Sequence, residues 1–321
     1  MGVDDGRQTA GEEEFPAVAV LGGSGFIGTY LVMSLLQMGY QVNLLVNRTS
    51  PDLISPRGRI RTFAGSIENA VALEACCAGC SAVFHLVGLI FETRSKTFQE
   101  TVVEGTAKAV AAARTAGVPK IVYLSALGAS AEAASRYYQT KYQAEQQVRN
   151  SGLDYTIFRP SIVYGRQDKF INRLARMIRL APIVPVIGDG RYKLQPVYVE
   201  ELAALMAASA RAAFTSRQIF EIGGPQQLTY LELLDIIKGI MKVKRGTLHL
   251  PVSLARWGAG LMERFLKPAP LTVDQITMLL AGSTCDQTIA ERAFGVRFSP
   301  LEMQLQKYGD EKWRKRSSLT S

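Results

Sequence analysis

The chain has 321 residues, 47% of them apolar and 20% charged. That is ordinary globular composition, which excludes a wholly disordered, collagen-like or low-complexity chain. At roughly 150 residues per domain the length predicts about two domains, or one large domain with an appended lobe, and a core that needs no cross-links. The net charge is +9, from 37 Lys plus Arg against 28 Asp plus Glu. The charge is uneven. Residues 1–15 hold Asp4, Asp5, Glu12, Glu13 and Glu14 against Arg7 alone, a net of −4, so the rest carries +13. A surplus of that size favours an anionic partner: a phosphorylated cofactor, a nucleic acid or an acidic membrane surface.

In chain order, residues 1–15 read as a flexible acidic tail. Ala17 to Leu21 is a short apolar run ending in glycines, and Thr29 to Met38 carries helical periodicity. Apolar runs follow at Val42 to Val46, Ile60 to Phe63, Ala82 to Val87, Lys120 to Ser125 and Tyr155 to Arg159. Helical stretches separate them at Asn69 to Ala78, about Thr97 to Ala116, and Tyr137 to Asn150. Short, near-continuous apolar strands alternating with helices predict an α/β fold: a doubly wound, parallel, Rossmann-like sheet covered on both faces. After Gly165 the rhythm weakens, and Gln218 to Ile222 reads as one more strand. The last ~95 residues read as mostly helical, interrupted by Pro251, Pro268, Pro270 and Pro300. The expected division is a Rossmann-like domain over 16–165, to which 195–225 returns, and a smaller substrate or partner lobe from 166–194 and 226–321.

Four cysteines make no disulfide scaffold. Cys77 and Cys80 form a C-x-x-C beside Cys76, but no second pair follows at metal spacing, and the only histidines are His85 and His249. Buried thiols and no metal are expected. No apolar run reaches the ~18 residues of a membrane span, and the acidic start lacks the apolar core of a secretory signal. The expected location is a reducing, cytoplasm-like compartment, with any membrane attachment peripheral.

Residues 22–28 read Gly-Gly-Ser-Gly-Phe-Ile-Gly and contain G-x-G-x-x-G at Gly23, Gly25 and Gly28. The motif directly follows a strand and opens a helix, the context in which it holds a dinucleotide pyrophosphate. Glycines let the backbone approach the phosphates, and the helix N-terminus offers free N–H groups. The next strand ends Val46-Asn47-Arg48, without the carboxylate that would bond a ribose 2′-hydroxyl. An arginine suits a 2′-phosphate, so NADP(H) is favoured over NAD(H), with Asn47 and Arg48 at that end of the site.

Tyr137 and Lys141 lie four apart on one helical face, just after the strand at Ile121 to Leu124. A phenol beside an ammonium ionises more easily and can move a proton at a carbonyl. With the glycine turn, His85-Leu86-Val87-Gly88, Ile121-Val122-Tyr123-Leu124-Ser125 and Arg159-Pro160-Ser161, this pair makes the chain resemble the short-chain dehydrogenase/reductases in their extended, epimerase/dehydratase-like branch. The resemblance runs over about residues 16–305. Tyr164-Gly165-Arg166-Gln167-Asp168-Lys169-Phe170, Gln195-Pro196-Val197-Tyr198-Val199 and Pro268 to Gln275 are similar to the dehydrogenase-like accessory subunits of respiratory complex I and their bacterial relatives.

The resemblance implies that the Gly22 to Gly28 loop, with Ser24, Gly25, Phe26 and Ile27, cradles the pyrophosphate. It sets Ser66 and Ile67 near the adenine and Val87 and Gly88 along the ribose. It gives Lys141 to the nicotinamide ribose, and adds Pro160 and Ile162 to the cofactor-binding set. Tyr137 would be the acid/base, Lys141 would support it, and Ser125 would polarise the substrate. Three features depart from the family pattern. Ala126 follows Ser125, Thr101 to Gly105 lacks the usual asparagine, and Ser66 replaces the usual acidic residue. Cofactor binding tolerates such changes better than catalysis.

Arg173, Arg176 and Arg179 fall on one face of a predicted amphipathic helix, which reads as a surface helix or as a basic face for lipid, partner or substrate. Trp257, Leu261, Met262, Phe265 and Leu266 are expected to pack the small lobe, with membrane-interface or partner docking as the alternative. Lys307, Lys312, Arg314, Lys315 and Arg316 form a basic tail. Some superfamily members bind RNA, but basic-aromatic interleaving is missing, so nucleic acid is not favoured. The expected function is an NADP(H)-binding dehydrogenase/reductase-like protein with a redox or accessory role in a respiratory or quinone-linked membrane system. The alternative is an active NAD(P)-dependent oxidoreductase or epimerase on a carbonyl or hydroxyl substrate.

Overall fold

The computed structural model describes residues 16–47, 58–266 and 268–314. The acidic tail, Arg48 and the end of the basic tail, including Lys315 and Arg316, lie outside the described residues. The first half alternates strand and helix: β1 (Ala17–Leu21), α1 (Phe26–Gln37), β2 (Gln41–Val46), β3 (Ile60–Ala64), α2 (Ala70–Cys77) and β4 (Ala82–His85). A π-helical segment, Gln99–Glu104, then runs into α3 (Gly105–Thr115), followed by β5 (Lys120–Leu124), α4 (Arg136–Arg149) and β6 (Asp154–Pro160). The second half holds β7 (Val163–Tyr164), α5 (Phe170–Leu180), β8 (Ile183–Ile187), β9 (Lys193–Leu194), β10 (Val197–Tyr198), α6 (Val199–Ala208) and β11 (Gln218–Ile222). It ends with β12 (Leu228–Thr229), α7 (Tyr230–Met241), β13 (Gly246–Leu250), α8 (Val252–Phe265), α9 (Val273–Ala281), α10 (Gln287–Phe294) and α11 (Leu301–Arg314).

Seven strands form one parallel sheet in the order β11-β6-β5-β4-β1-β2-β3. Consecutive β1 residues serve opposite faces, because strand side chains alternate. Val18 and Val20 pack with Leu31 and Leu35 of α1 and Leu202 of α6. Ala19 and Leu21 pack with Leu73 of α2 and Ala109 of α3. A sheet covered on both faces is why these strands read as unbroken apolar runs. The chain leaves β1 toward β2 and β3 on one side, then crosses to β4, β5 and β6 on the other. The crevice between the carboxyl ends of β1 and β4 is therefore the switch point where doubly wound folds bind ligands.

A second apolar core gathers α5, β8, α7 and α11 around Tyr164, with Ile171, Leu174 and Ile178 supplying the buried stripe of α5. The exposed Arg176 lies on the other side of that helix. The apolar residues of α8 behave differently. Trp257, Leu261 and Phe265 are exposed rather than packed, and Ala259 is the one α8 residue that is buried. Cys76 and Cys77, at the end of α2, and Cys80 just after it are buried free thiols. Burial pushes all three upward, Cys77 to about 12 and Cys80 to about 11. No metal-binding cluster occurs among the described residues.

Candidate functional site

The glycine turn is shaped by close approaches. Gly22 has φ +91°, a left-handed conformation that favours glycine, and a Cβ there would lie 3.1 Å from the Val87 amide nitrogen. A Cβ on Gly28 would meet the Gly22 carbonyl oxygen at 2.3 Å and Gly23 Cα at 2.5 Å, so only glycine lets α1 start this close to β1. Gly25 differs: its Cβ would meet only the Gly22 oxygen, at 3.2 Å, and Ser24 and Gly25 face solvent. No side chain caps α1, and its first turn holds no acidic residue. Its leading N–H groups and positive dipole end thus face outward, ready for an anion.

The neighbouring strand ends complete the crevice. Leu86 N donates to Leu21 O (2.8 Å), which sets Val87 and Gly88 beside the turn. Lys141 Nζ donates to Leu124 O (2.8 Å) and toward Tyr123 Oη (3.4 Å), and a Cβ on Gly88 would lie 3.2 Å from it. Lys141 therefore bridges the ends of β4 and β5. Ser125 N donates to Phe158 O (2.7 Å), but the buried Ser125 Oγ has no partner among the described residues. A buried hydroxyl left unbonded is costly and marks a place for an incoming group. Pro160 closes the floor, its carbonyl accepting from Leu127 N (3.0 Å), and Ile162 O accepts from Val197 N (2.9 Å).

Ile67 is a core residue, packed toward Gly105 of α3. Ser66 Oγ accepts from Glu68 N (3.2 Å) in a local turn. Asn47 stands exposed at the end of β2, and Arg48 lies outside the described residues.

Tyr137 is buried, with its ring 5.8 Å from that of Phe98 and 5.6 Å from that of Tyr138, and the cluster includes Met278 of α9. Burial, followed by the neighbouring Tyr138, holds its phenol well above the ordinary tyrosine range. The easier ionisation expected from Lys141 is therefore not what this arrangement gives, because the ammonium sits on the Leu124 carbonyl. Lys141 itself is pulled down to about 8 by burial, opposed by Glu145 one turn along. Glu145 is fully buried and grips Arg159 in two bonds, Nε to Oε1 (2.9 Å) and Nη2 to Oε2 (2.6 Å).

Beneath the lysine lies a buried polar chain. Thr106 Oγ1 donates to Val102 O (2.6 Å) at the π-helical turn. It can then only accept from His85 Nε2, 3.0 Å away, which fixes the His85 tautomer and leaves Nδ1 a bare acceptor without a partner among the described residues. Burial first, and then Lys141, push His85 down to about 3, so it stays neutral.

One residue escaped sequence reasoning. Asp274 of α9 accepts hydrogen bonds from Ser135 Oγ (2.9 Å), Arg136 N (2.8 Å) and Tyr137 N (3.2 Å). Ser135 Oγ in turn accepts from Tyr138 N (3.4 Å). A carboxylate from the C-terminal part of the chain thus satisfies the free N–H groups of the helix that carries Tyr137 and Lys141. The legible signal was local. Thr272 and Gln275 spell a capping box, in which an acidic residue is ordinary first-turn chemistry.

Residues 18–223 match the NAD dependent epimerase/dehydratase family. The chain is 30% identical over 296 residues to NADH dehydrogenase [ubiquinone] 1 alpha subcomplex subunit 9, mitochondrial, of Arabidopsis thaliana, covering 88% of this chain and 73% of that protein. It is 27% identical over 239 residues to the ceramide reductase of Caulobacter vibrioides, covering 73% of each. Its fold is also that of the NADPH-dependent quinone oxidoreductase of Escherichia coli, solved in complex with NADPH. There the TM-score is 0.74 and the identity 17%, over 91% of this chain and 99% of that one.

Proposed function

Because the chain belongs to the NAD dependent epimerase/dehydratase family, we propose that it binds NADP(H) at the β1–β4 crevice and serves a redox or accessory role beside a respiratory or quinone-linked membrane system. The observation that carries this reading is a convergence at the strand ends. An uncapped helix N-terminus, the Lys141 ammonium and the unpartnered Ser125 hydroxyl surround one crevice. These groups fit a dinucleotide: the Gly22 to Gly28 turn for the pyrophosphate, Lys141 for a ribose hydroxyl, Ser125 for the reacting end. Preference for NADP(H) is supported by the lack of a carboxylate at Val46-Asn47-Arg48. The membrane link is supported by likeness to a subunit named for NADH dehydrogenase.

When bound, the nicotinamide supplies or accepts hydride. The chain's own groups handle position and proton. Ser125 Oγ donates to a substrate oxygen. Tyr137, held protonated by burial, is poised as a donor rather than a base. A developing alkoxide is about as basic as hydroxide, so even a raised phenol can protonate it. Phe98 and Met278 pack around the Tyr137 ring.

A second reading, turnover of a carbonyl or hydroxyl substrate, is favoured by the presence of Ser125, Tyr137 and Lys141 at one site. The ceramide reductase likeness points to an amphiphilic carbonyl. Purified protein should release NADP(H) on denaturation and bind NADPH more tightly than NADH. No saturable binding overturns the cofactor reading, and equal or tighter NADH binding overturns the preference. Tyr137→Phe should leave NADPH binding intact. If the protein is an enzyme, that variant should lower turnover of a carbonyl panel by about a hundredfold or more; unchanged support of a membrane complex assigns the accessory role.

A further inference from the structure

We propose that the outer face of α8, with the β8–β13 ribbon from whose end it leaves, docks on an anionic lipid bilayer. The inference deepens the membrane-linked reading above and rests on it. Leu254, Trp257, Leu261 and Phe265 recur at steps of three, four and four, which is one side of a helix. They are 52%, 67%, 46% and 70% exposed, while Ala259 on the opposite side is buried. A helix of a globular protein ordinarily turns its apolar stripe to the core. Here the stripe faces out.

The ribbon continues the pattern. Its register sets Gly246 beside Ile183 and Leu248 beside Pro185, so Ile183, Pro185 and Leu248 share a face. Ile183 and Leu248 are exposed, whereas Val184 and Val186 on the other face are fully buried. The strand ends at Leu250, and α8 begins two residues later, so the two elements with exposed apolar residues succeed one another along the chain. Exposed apolar side chains in this number mark an interaction site.

The charge around it selects the occupant. Arg173 donates to the Pro270 carbonyl, which ties the arginine face of α5 to the α8–α9 connection. Arg245 Nε donates to Ile178 O (3.2 Å), which sets the basic run from Lys242 to Arg245 at the end of α5. Arg256 and Arg264 are exposed on α8 itself. The one acid of α8, Glu263, is turned inward, its Oε1 accepting from Val273 N (3.1 Å). Apolar and aromatic side chains ringed by arginine and lysine are the composition of a helix lying in a bilayer interface, with Trp at headgroup level and cations on lipid phosphates. Each such cation is worth about fivefold in partitioning to an anionic surface. A protein partner would instead need a matching acidic rim. The docked helix is also linked to the site: Glu263 holds Val273, whose neighbour Asp274 holds the Tyr137 helix.

The test uses the full chain with vesicles of phosphatidylcholine alone and of phosphatidylcholine mixed with phosphatidylglycerol. Co-sedimentation should occur with the mixed vesicles and weaken with salt. Trp313 is buried, so a blue shift and quenching by brominated lipid report Trp257. Leu261→Ser with Phe265→Ser should reduce binding at least tenfold, and Arg256→Gln with Arg264→Gln by about fivefold per charge removed. Both pairs are exposed, so circular dichroism and NADPH binding should not change. Absent co-sedimentation, an unmoved Trp257 emission, or equal binding to neutral vesicles overturns the proposal. So does self-association that the Phe265 variant abolishes without any vesicle binding, which would assign the face to a second copy. NADPH titration of the unmodified chain is read separately. Its failure refutes the nucleotide reading while the vesicle result stands.

Discussion

Replacing Asp274 by alanine removes the acceptor of three hydrogen bonds at the start of α4. The three donors do not suffer equally. The Arg136 N–H belongs to an exposed residue and can turn to water, whereas the Tyr137 N–H belongs to a buried one. An unsatisfied buried donor costs about 1–3 kcal/mol. Loss of favourable charge at a helix N-terminus adds about 0.3–1 kcal/mol, and the Ser135 cap, left without its own acceptor, adds a fraction of the ~1 kcal/mol that a cap is worth. The total is about 2–4 kcal/mol. Asp274→Asn keeps one carbonyl oxygen for the backbone donors and should lose only about 1 kcal/mol. Urea unfolding of the three proteins, read by circular dichroism, measures both differences. NADPH affinity should fall in the same order, because α4 carries Lys141. If Asp274→Ala lies within about 0.5 kcal/mol of the unmodified chain, the range of an ordinary surface change, the carboxylate does not hold α4. If asparagine costs as much as alanine, the worked contributions are wrong.

Other outcomes follow from the same geometry. Lys141 falls from an unfolded value near 10.5 to about 8 on folding, so its charge destabilises the fold below pH 8, and the cost is relieved as pH rises from 8 toward 10.5. At 1.36 kcal/mol per unit this is about 3 kcal/mol at most. Lys141→Met should therefore be more urea-resistant than the unmodified chain at pH 7, and a stability difference that stays flat from pH 7 to 10 would contradict the assignment. Gly28→Ala should cost about 1–3 kcal/mol in stability and also abolish NADPH binding, since its Cβ would meet the Gly22 oxygen at 2.3 Å. Gly25→Ala, whose Cβ would press on a single carbonyl oxygen at 3.2 Å, should cost less stability than Gly28→Ala and still lose the nucleotide; equal thermal losses for both would refute the cradle. Glu145→Gln leaves Arg159 with the more exposed Glu221 carboxylate alone (3.5 Å) and should cost about 1–3 kcal/mol in denaturant unfolding; a neutral result would show the pair to be dispensable. Native Cys76, Cys77 and Cys80 should react with a thiol reagent at pH 8 far more slowly than after unfolding, because burial keeps them as thiols. Rapid native labelling would refute that.

What the sequence determined by itself was local. Apolar runs of four to seven residues separated by amphipathic stretches dictate a covered parallel sheet. Strand, glycine turn and helix in succession dictate a phosphate cradle, because backbone approach and helix start depend on neighbours a few residues apart. What only the tertiary structure decided involves groups that folding brings together, Asp274 and the start of α4 from more than a hundred residues apart. Asp274 reads as serving its own helix until folding brings α4 against it. Lys141 reads as the neighbour that eases Tyr137, until the Leu124 carbonyl claims its ammonium and burial moves both groups against ionisation. The α8 stripe, expected to pack the small lobe, is exposed, because helical periodicity shows that a helix has an apolar side but not which surface that side will meet.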